Sequence, residues 1–222
     1  NYVFNNHDIT RTATRYHFDK EDSMAKVAAT LLLTLRGTPF MYYGEEIGMR
    51  DVTLKRQEIM DPPGKKYWPI YKGRDGCRSP MQWNGSRNAG FSTGKPWLKV
   101  HPGYQDRNVE KQISNPNSLL TYYRTLIDLR KQKPELSRGS FRMLEDIPDG
   151  VIAYLRQSAI SQILVLLNFK KKPVRVEIPV ELDPKAMVIL VDSIPGWGFN
   201  VSDKNVIYLG PAQSLILECP HR

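Results

Sequence analysis

The chain has 222 residues, of which 41% are hydrophobic and 25% charged, an ordinary globular composition that excludes a wholly disordered polypeptide. Its net charge of +9 comes from 32 Lys and Arg against 23 Asp and Glu, but the cations are scattered. The densest run, Lys170-Lys171-Lys172, sits beside Pro173 without interleaved aromatics, so it reads as a solvated turn and no nucleic-acid partner is expected. The longest apolar run, around residues 28–35, is short and broken by Thr30 and Thr34, so no membrane partner is expected either. Cys77 and Cys219 are too few for a disulfide-stapled miniprotein and lack metal-ligand spacing. No metal or cofactor is expected, and the cysteine usage points to a reducing compartment such as the cytoplasm. The chain starts Asn-Tyr-Val-Phe with no initiator Met, which suggests a fragment or a processed product.

In chain order, Tyr2-Val3-Phe4 reads as a short strand ending in the polar cluster Asn5-Asn6-His7-Asp8. Met24, Val27, Ala28, Leu31, Leu32 and Leu35 then recur at helical spacing, with Asp22 or Ser23 to start the helix and Arg36-Gly37 before Pro39 to end it. Phe40-Met41-Tyr42-Tyr43 has the continuous apolar character of a strand buried on both faces. Strand, helix, strand with polar residues at the strand ends is the grammar of a parallel α/β sheet or barrel. Residues 44–115 are rich in Gly, Pro, Lys and Arg with aperiodic aromatics, and read as a long ordered excursion. A second helix is expected from Asn115 as cap and Pro116 as first helical residue to about Lys133-Pro134.

Beyond residue 137 the pattern becomes β-rich. Segments 141–144, 151–156, 163–168, 174–178, 187–191, 206–209 and 214–218 are separated by turn signals such as Pro148-Asp149-Gly150 and Pro195-Gly196. They predict an antiparallel β-sandwich over 138–222, a domain separate from the α/β part at 1–137.

Asn6-His7-Asp8 stands where barrel enzymes place reacting groups, at the C-terminal end of a strand. A carboxylate beside an imidazole can bind sugar hydroxyls, move a proton or hold a metal. The tripeptide alone reads more readily as the ordinary polar cluster of a strand giving way to a turn. Its wider setting favours the first reading. Asn6-His7-Asp8 with Arg11, then residues 37–49 (GTPFMYYGEEIGM), then residues 73–83 (GRDGCRSPMQW) together resemble the α-glucosidase and oligo-1,6-glucosidase branch of the α-amylase family, glycoside hydrolase family 13. Residues 88–92 (NAGFS), Pro96-Trp97 and the helix at 119–131 are similar too.

The resemblance implies a TIM barrel, (β/α)8, followed by an all-β antiparallel C-terminal domain, of which this chain is the last two-fifths. It implies retaining hydrolysis of terminal α-linked glucose in maltose- or isomaltose-type oligosaccharides. Asp8 matches the carboxylate that stabilises the transition state, and His7 the neighbouring sugar ligand. Arg78 is the candidate further substrate contact, against the alternative of an ion pair with Asp75 or another acid. Arg74 is its alternative, and Arg11 is expected to orient Asp8 or the strand end. Glu45 and Glu46 read as loop-fixing carboxylates. The family's nucleophilic Asp and acid Glu have no counterpart in this chain, so it is expected to be inactive alone and to need the missing N-terminal part of the enzyme as partner. A transglucosylase or isomerase of the same fold is an alternative. A non-enzymatic transporter heavy chain is another, which the intact Asn-His-Asp disfavours. A carbohydrate-binding module at 138–222 is a third, disfavoured because that region shows no planar row of aromatics and its single tryptophan, Trp197, stands alone between Gly196 and Gly198. Asn84-Gly85-Ser86 and Asn200-Val201-Ser202 fit the short glycosylation pattern.

Overall fold

The chain opens with β1 (Tyr2–Val3), a single-turn α1 (Thr12–Arg15), α2 (Ser23–Thr34) and β2 (Pro39–Phe40). This is a computed structural model, and it describes residues 1–18, 21–195, 197, 200–202 and 205–219, without the side chains of 184 and 200–202. Two short helices, α3 (Pro62–Lys66) and α4 (Val109–Ile113), punctuate the excursion, and α5 (Leu119–Gln132) and α6 (Pro134–Arg138) follow it. The strands after them are β3 (Ser140–Met143), β4 (Val151–Gln157), β5 (Gln162–Asn168), β6 (Val174–Glu177), β7 (Val188–Asp192), β8 (Asn200–Ser202), β9 (Val206–Leu209) and β10 (Ser214–Cys219). Every β-rich segment read from sequence is a strand, and β8 is an addition. Gly196 of the expected Pro195-Gly196 turn lies outside the described residues.

By compactness the chain divides into two units, Asn1–Asp22 with Phe40–Tyr122, and Ser23–Pro39 with Tyr123–Arg222. This grouping places α2 with the strands, whereas the sequence reading divides the chain at residue 137.

In the second unit, β3-β4-β5-β10-β7 form one sheet and β6-β9-β8 another. The β3–β4, β4–β5, β5–β10, β10–β7, β6–β9 and β8–β9 pairs are all antiparallel. Alternate residues of the larger sheet, Leu155, Leu164 and Leu217 among them, share one apolar core with Val176, Ile207 and Leu209 of the smaller. The two sheets thus enclose one apolar core between them. The other face of the larger sheet is covered as well, because α2 lies on it. Thr30 Oγ1 shares a 2.9 Å hydrogen bond with Ser214 Oγ, and the Thr34 hydroxyl pairs with that of Tyr154. Burial from both sides explains why residues 163–167 are wholly enclosed and read as an unbroken apolar run.

Two arginines finish this unit. Arg130 donates to the carbonyls of Leu33 (2.7 Å), Leu35 (3.2 Å) and Gly37 (2.6 Å), the unpaired C-terminal end of α2. Arg156, wholly buried, donates to the carbonyls of Thr34, Leu136, Gly139 and Ser140.

Two sequence expectations are corrected. Phe40-Met41-Tyr42-Tyr43 is not a strand buried on both faces: β2 stops at Phe40, and Phe40 and Tyr43 are 52% and 40% exposed. Burial on both faces requires sheet neighbours on either side, and among the described residues β2 has only β1. The second correction concerns α5, which starts at Leu119 rather than at Pro116. Asn115 Oδ1 is engaged locally by the Asn117 N–H (2.9 Å), and Ser118 Oγ accepts the Thr121 N–H (3.1 Å), making Ser118 the cap. The Asn-Pro pair marks a turn, one step ahead of the helix.

Candidate active site

The site grows from the turn after β1, within the first unit. Asn5 is buried, and its side-chain oxygen accepts both the backbone N–H and the hydroxyl of Thr12, fastening the far end of the turn. Asn6 Oδ1 accepts the N–H groups of Asp8 (2.8 Å) and Ile9 (3.1 Å), a side-chain-closed turn of the kind Asn favours. Between these two clamps His7 and Asp8 point outward, with side chains 66% and 48% exposed.

Two arginines converge on that pair. Asp8 Oδ1 accepts from Arg78 Nη2 at 3.0 Å and Arg74 Nη1 at 3.2 Å, and His7 Nε2 lies 3.3 Å from Asp8 Oδ2. Arg78 also donates through Nε to the His7 carbonyl at 2.7 Å, so one planar guanidinium grips backbone and carboxylate together. Arg78 does not pair with Asp75. Its acid partner is Asp8 instead, and Arg74 reaches the same carboxylate oxygen. Partial desolvation pushes the Asp8 carboxyl upward, but the Arg74 and Arg78 hydrogen bonds and the charges of His7 and Arg74 outweigh it and hold the group below its ordinary range. Ion pairs this exposed contribute little to stability, and their consequence is an ionised carboxylate held in one orientation.

Behind them stands a layer that sequence reasoning missed. Asp61 is buried and accepts from Arg74 through Nη2 (2.9 Å), Nε (3.2 Å) and the backbone N–H (3.0 Å). The Arg74 hydrogen bond is the main reason its carboxyl is held low. Asp75, also buried, accepts the N–H groups of Met60 (2.6 Å) and Asp61 (2.8 Å) and so fixes the segment that carries Asp61. Asp61 precedes Pro62-Pro63 at the start of α3, where an Asp usually caps; here its carboxylate makes no cap and is committed to Arg74 instead. The Arg74 and Arg78 spacing was visible in the sequence, but the buried acid partner of Arg74 lay thirteen residues before it across an irregular loop.

Arg11 sits elsewhere. It is 1% exposed, its N–H donates to Asp51 Oδ1 (2.8 Å), its Nη1 donates to the Tyr43 carbonyl (2.7 Å), and its guanidinium lies 4.8 and 4.7 Å from the Tyr42 and Tyr43 ring centres. It therefore fastens the chain just beyond β2. Glu45 accepts the Tyr42 N–H (3.3 Å), in keeping with a loop-fixing carboxylate. Glu46 is half-buried, and burial pushes its carboxyl up. The two lie in a turn rather than on a strand. Asn84 Oδ1 is turned onto Ser86, accepting its hydroxyl at 2.6 Å, while the side chains of residues 200–202 lie outside the described residues. Among the described residues no three His, Cys, Asp or Glu side chains gather as metal ligands, and no helix is long and apolar enough to cross a membrane.

Comparison with known proteins gives the family of the chain. The family described as alpha amylase, catalytic domain, matches residues 1–139. A probable alpha-glucosidase of Rhizobium meliloti (strain 1021) is 33% identical over 207 residues, covering 89% of this chain and 37% of that protein. An oligo-1,6-glucosidase of Bacillus cereus is 34% identical, covering 85% and 37%. Among solved structures, the trehalulose synthase of Pseudomonas mesoacidophila MX-45 superposes with a TM-score of 0.83 at 33% identity, over 97% of this chain and 42% of that one. The chain belongs to the α-amylase family of glycoside hydrolases, and it spans under half the length of the relatives it matches.

Proposed function

We propose that this chain is the C-terminal portion of a retaining α-glucosidase that releases terminal α-linked glucose from maltose- or isomaltose-type oligosaccharides. Residues 1–137 supply the end of the (β/α)8 barrel with its 44–115 excursion, and 138–222 the β-sandwich. The observation that carries the reading is the ionised Asp8, held by Arg74 and Arg78 beside His7 at the mouth of a strand-to-turn junction. A carboxylate so fixed can accept hydrogen bonds from sugar hydroxyls that strengthen as the ring becomes oxocarbenium-like, which lowers the barrier rather than merely binding the substrate. His7 and Arg78 are the further sugar contacts, with Arg74 in support, while Arg11 fastens the chain beyond β2 instead.

Bond cleavage needs a nucleophile and an acid that this chain lacks, so the missing part of the same enzyme is its partner and the chain by itself is inactive. The test is a chimera in which this chain replaces the 207 matched residues of the Rhizobium relative. Glucose release from maltose or isomaltose by the chimera, and none by the chain alone, is the expected result. A folded chimera without turnover, or turnover by the chain alone, contradicts it.

A second reading, a transglucosylase or isomerase, is favoured by the trehalulose synthase likeness. It predicts that the chimera consumes maltose or isomaltose chiefly by forming a new glucoside rather than by releasing free glucose alone.

A further inference from the structure

A cavity of about 800 Å³ in the first unit has Gln82 as a wall and shares no residue with the Asp8 cluster. Gln82 is 1% exposed, and its amide nitrogen donates to the Arg107 carbonyl, which sets the orientation of the amide. Its Oε1 is buried and accepts from no group. A buried acceptor without a donor is costly to leave so, and at the wall of a polar cavity it calls for a hydroxyl or N–H from an occupant.

The charged walls divide into spent and unspent groups. Arg107 Nη1 donates to Asp22 Oδ2 (3.0 Å) and to the Ile47 carbonyl (2.9 Å), and Lys111 Nζ lies 3.6 Å from Asp106 Oδ1. Arg50 meets no carboxylate among the described residues; its one partner is the Phe18 carbonyl. His101 Nδ1 accepts the Gly103 N–H (3.0 Å), so the neutral ring carries its proton on Nε2, which has no partner among the described residues. Burial and the charges of Arg50, Arg107 and Arg11 hold that imidazole below its ordinary range, so the ring stays neutral and Nε2 stays a donor. Ser118, the cap of α5, is also a wall, and a helix start adds partial positive charge. The one wall acid left without a partner among the described residues, Glu21, is exposed. Unspent donors and positive charge thus gather in one cavity with two unspent acceptors, Gln82 Oε1 and Glu21.

We propose that this cavity is a second, non-catalytic binding site whose ligand is a phosphorylated sugar. The phosphate takes the donors of Arg50, Arg107 and His101 Nε2, and the sugar hydroxyls meet Gln82 Oε1 and Glu21. The inference is independent of the α-glucosidase reading, because no wall residue belongs to the Asp8 cluster. Guanidinium groups bind phosphate through charge-assisted hydrogen bonds, and a neutral imidazole N–H adds a third donor without needing to be charged. A bare tetrahedral anion answers these donors but turns only acceptor oxygens toward Gln82 and Glu21, which need hydroxyls. A neutral sugar answers the acceptors but leaves the Arg50 charge unopposed. A phosphorylated sugar answers both, and the volume is that of a small-molecule site rather than of a single ion.

The test follows the imidazole signals of the 222-residue chain by NMR during titration with glucose 6-phosphate, inorganic phosphate, sulfate and glucose. Glucose 6-phosphate is expected to shift His101 saturably and to raise its titration midpoint, because a bound anion offsets Arg50 and Arg107. Inorganic phosphate and sulfate are expected to bind about tenfold more weakly or worse, and glucose to leave His101 in place. Any binding of the sugar at Asp8 is read separately, at His7. Arg50→Gln is expected to weaken glucose 6-phosphate about tenfold, the loss of one charge-assisted hydrogen bond, with an unmoved Trp68 indole signal as the check on folding. Gln82→Met is expected to cut the preference for glucose 6-phosphate over sulfate about fivefold. If that buried variant does not fold, the sulfate comparison on the native chain decides the same point. Sulfate or inorganic phosphate binding as tightly as glucose 6-phosphate overturns the proposal in favour of an adventitious ion only. Glucose shifting His101 as strongly as its phosphate overturns the phosphate assignment. A silent His101, or Arg50→Gln indistinguishable from the native chain, overturns the site.

Discussion

Arginine is used in opposite ways in the two units. In the first, Arg74 and Arg78 meet carboxylates near the surface, and the outcome is an exposed Asp8 with one oxygen gripped and the other facing His7. In the second, Arg130 and Arg156 meet main-chain carbonyls, four of them around one wholly buried guanidinium. A charge paired at the surface is screened and adds little stability, so it orients a functional group at small cost. A buried cation spread over several carbonyls replaces its lost hydration with fixed dipoles, and removing it strands those carbonyls without water. Site and scaffold thus differ in what a lost arginine leaves behind.

The largest effect expected from that contrast is on stability. Arg156→Ala should destabilise the second unit by about 3–5 kcal/mol, because several buried acceptors lose their donor at once. Urea unfolding followed by far-ultraviolet circular dichroism checks it. A loss below about 1 kcal/mol would show that water or backbone movement satisfies the carbonyls, and the contrast would fail.

Asp61→Asn is expected to act on the site instead. It keeps the shape, removes the charge opposite Arg74, and costs about 1–3 kcal/mol, the range for a buried hydrogen bond to a charged group. The sharper readout is the Asp8 carboxyl: with Arg74 loosened, its titration midpoint should move up toward the ordinary value of 3.8. An unmoved midpoint would mean that Arg78 alone orients Asp8.

The acid dependence of stability follows from the same pair. The Asp61 carboxyl is held below its ordinary value of 3.8, so its contribution is fully present above that pH and is lost as pH falls through the lower folded value. Glu46 and Asp51 work in the opposite direction, since burial raises both. The difference between native chain and Asp61→Asn isolates the first effect. Measured by urea unfolding from pH 7 to pH 3, that difference should be constant at the upper end and shrink toward the lower.

The smallest effect concerns the start of α5. Ser118→Ala should cost about 1 kcal/mol and Asn115→Ala distinctly less, as expected if Ser118 and not Asn115 caps the helix. Equal losses would restore the earlier start.

How far the sequence foretold each region tracks the same division. The sandwich strands were legible because apolar runs and turn residues are local signals, and β5 reads correctly even though α2 on its outer face cannot be inferred from β5 itself. The His7–Asp8 pair was legible through its motif, and Arg74 and Arg78 through theirs. Asp61 was not, because its partnership with Arg74 depends on how an aperiodic loop folds back on itself. Phe40 to Tyr43 differ for another reason: this chain spans under half the length of its relatives, and among the described residues β2 has only β1 as a sheet neighbour.

The most direct test of the account is the catalytic contribution of Asp8 in the chimera with the Rhizobium relative. Asp8→Asn is expected to lower kcat by about 10²–10³-fold with little change in KM, the pattern of an interaction strengthened in the transition state. A variant that keeps kcat within about threefold would contradict the central claim, because a carboxylate essential to the oxocarbenium-like ring cannot lose its charge without consequence.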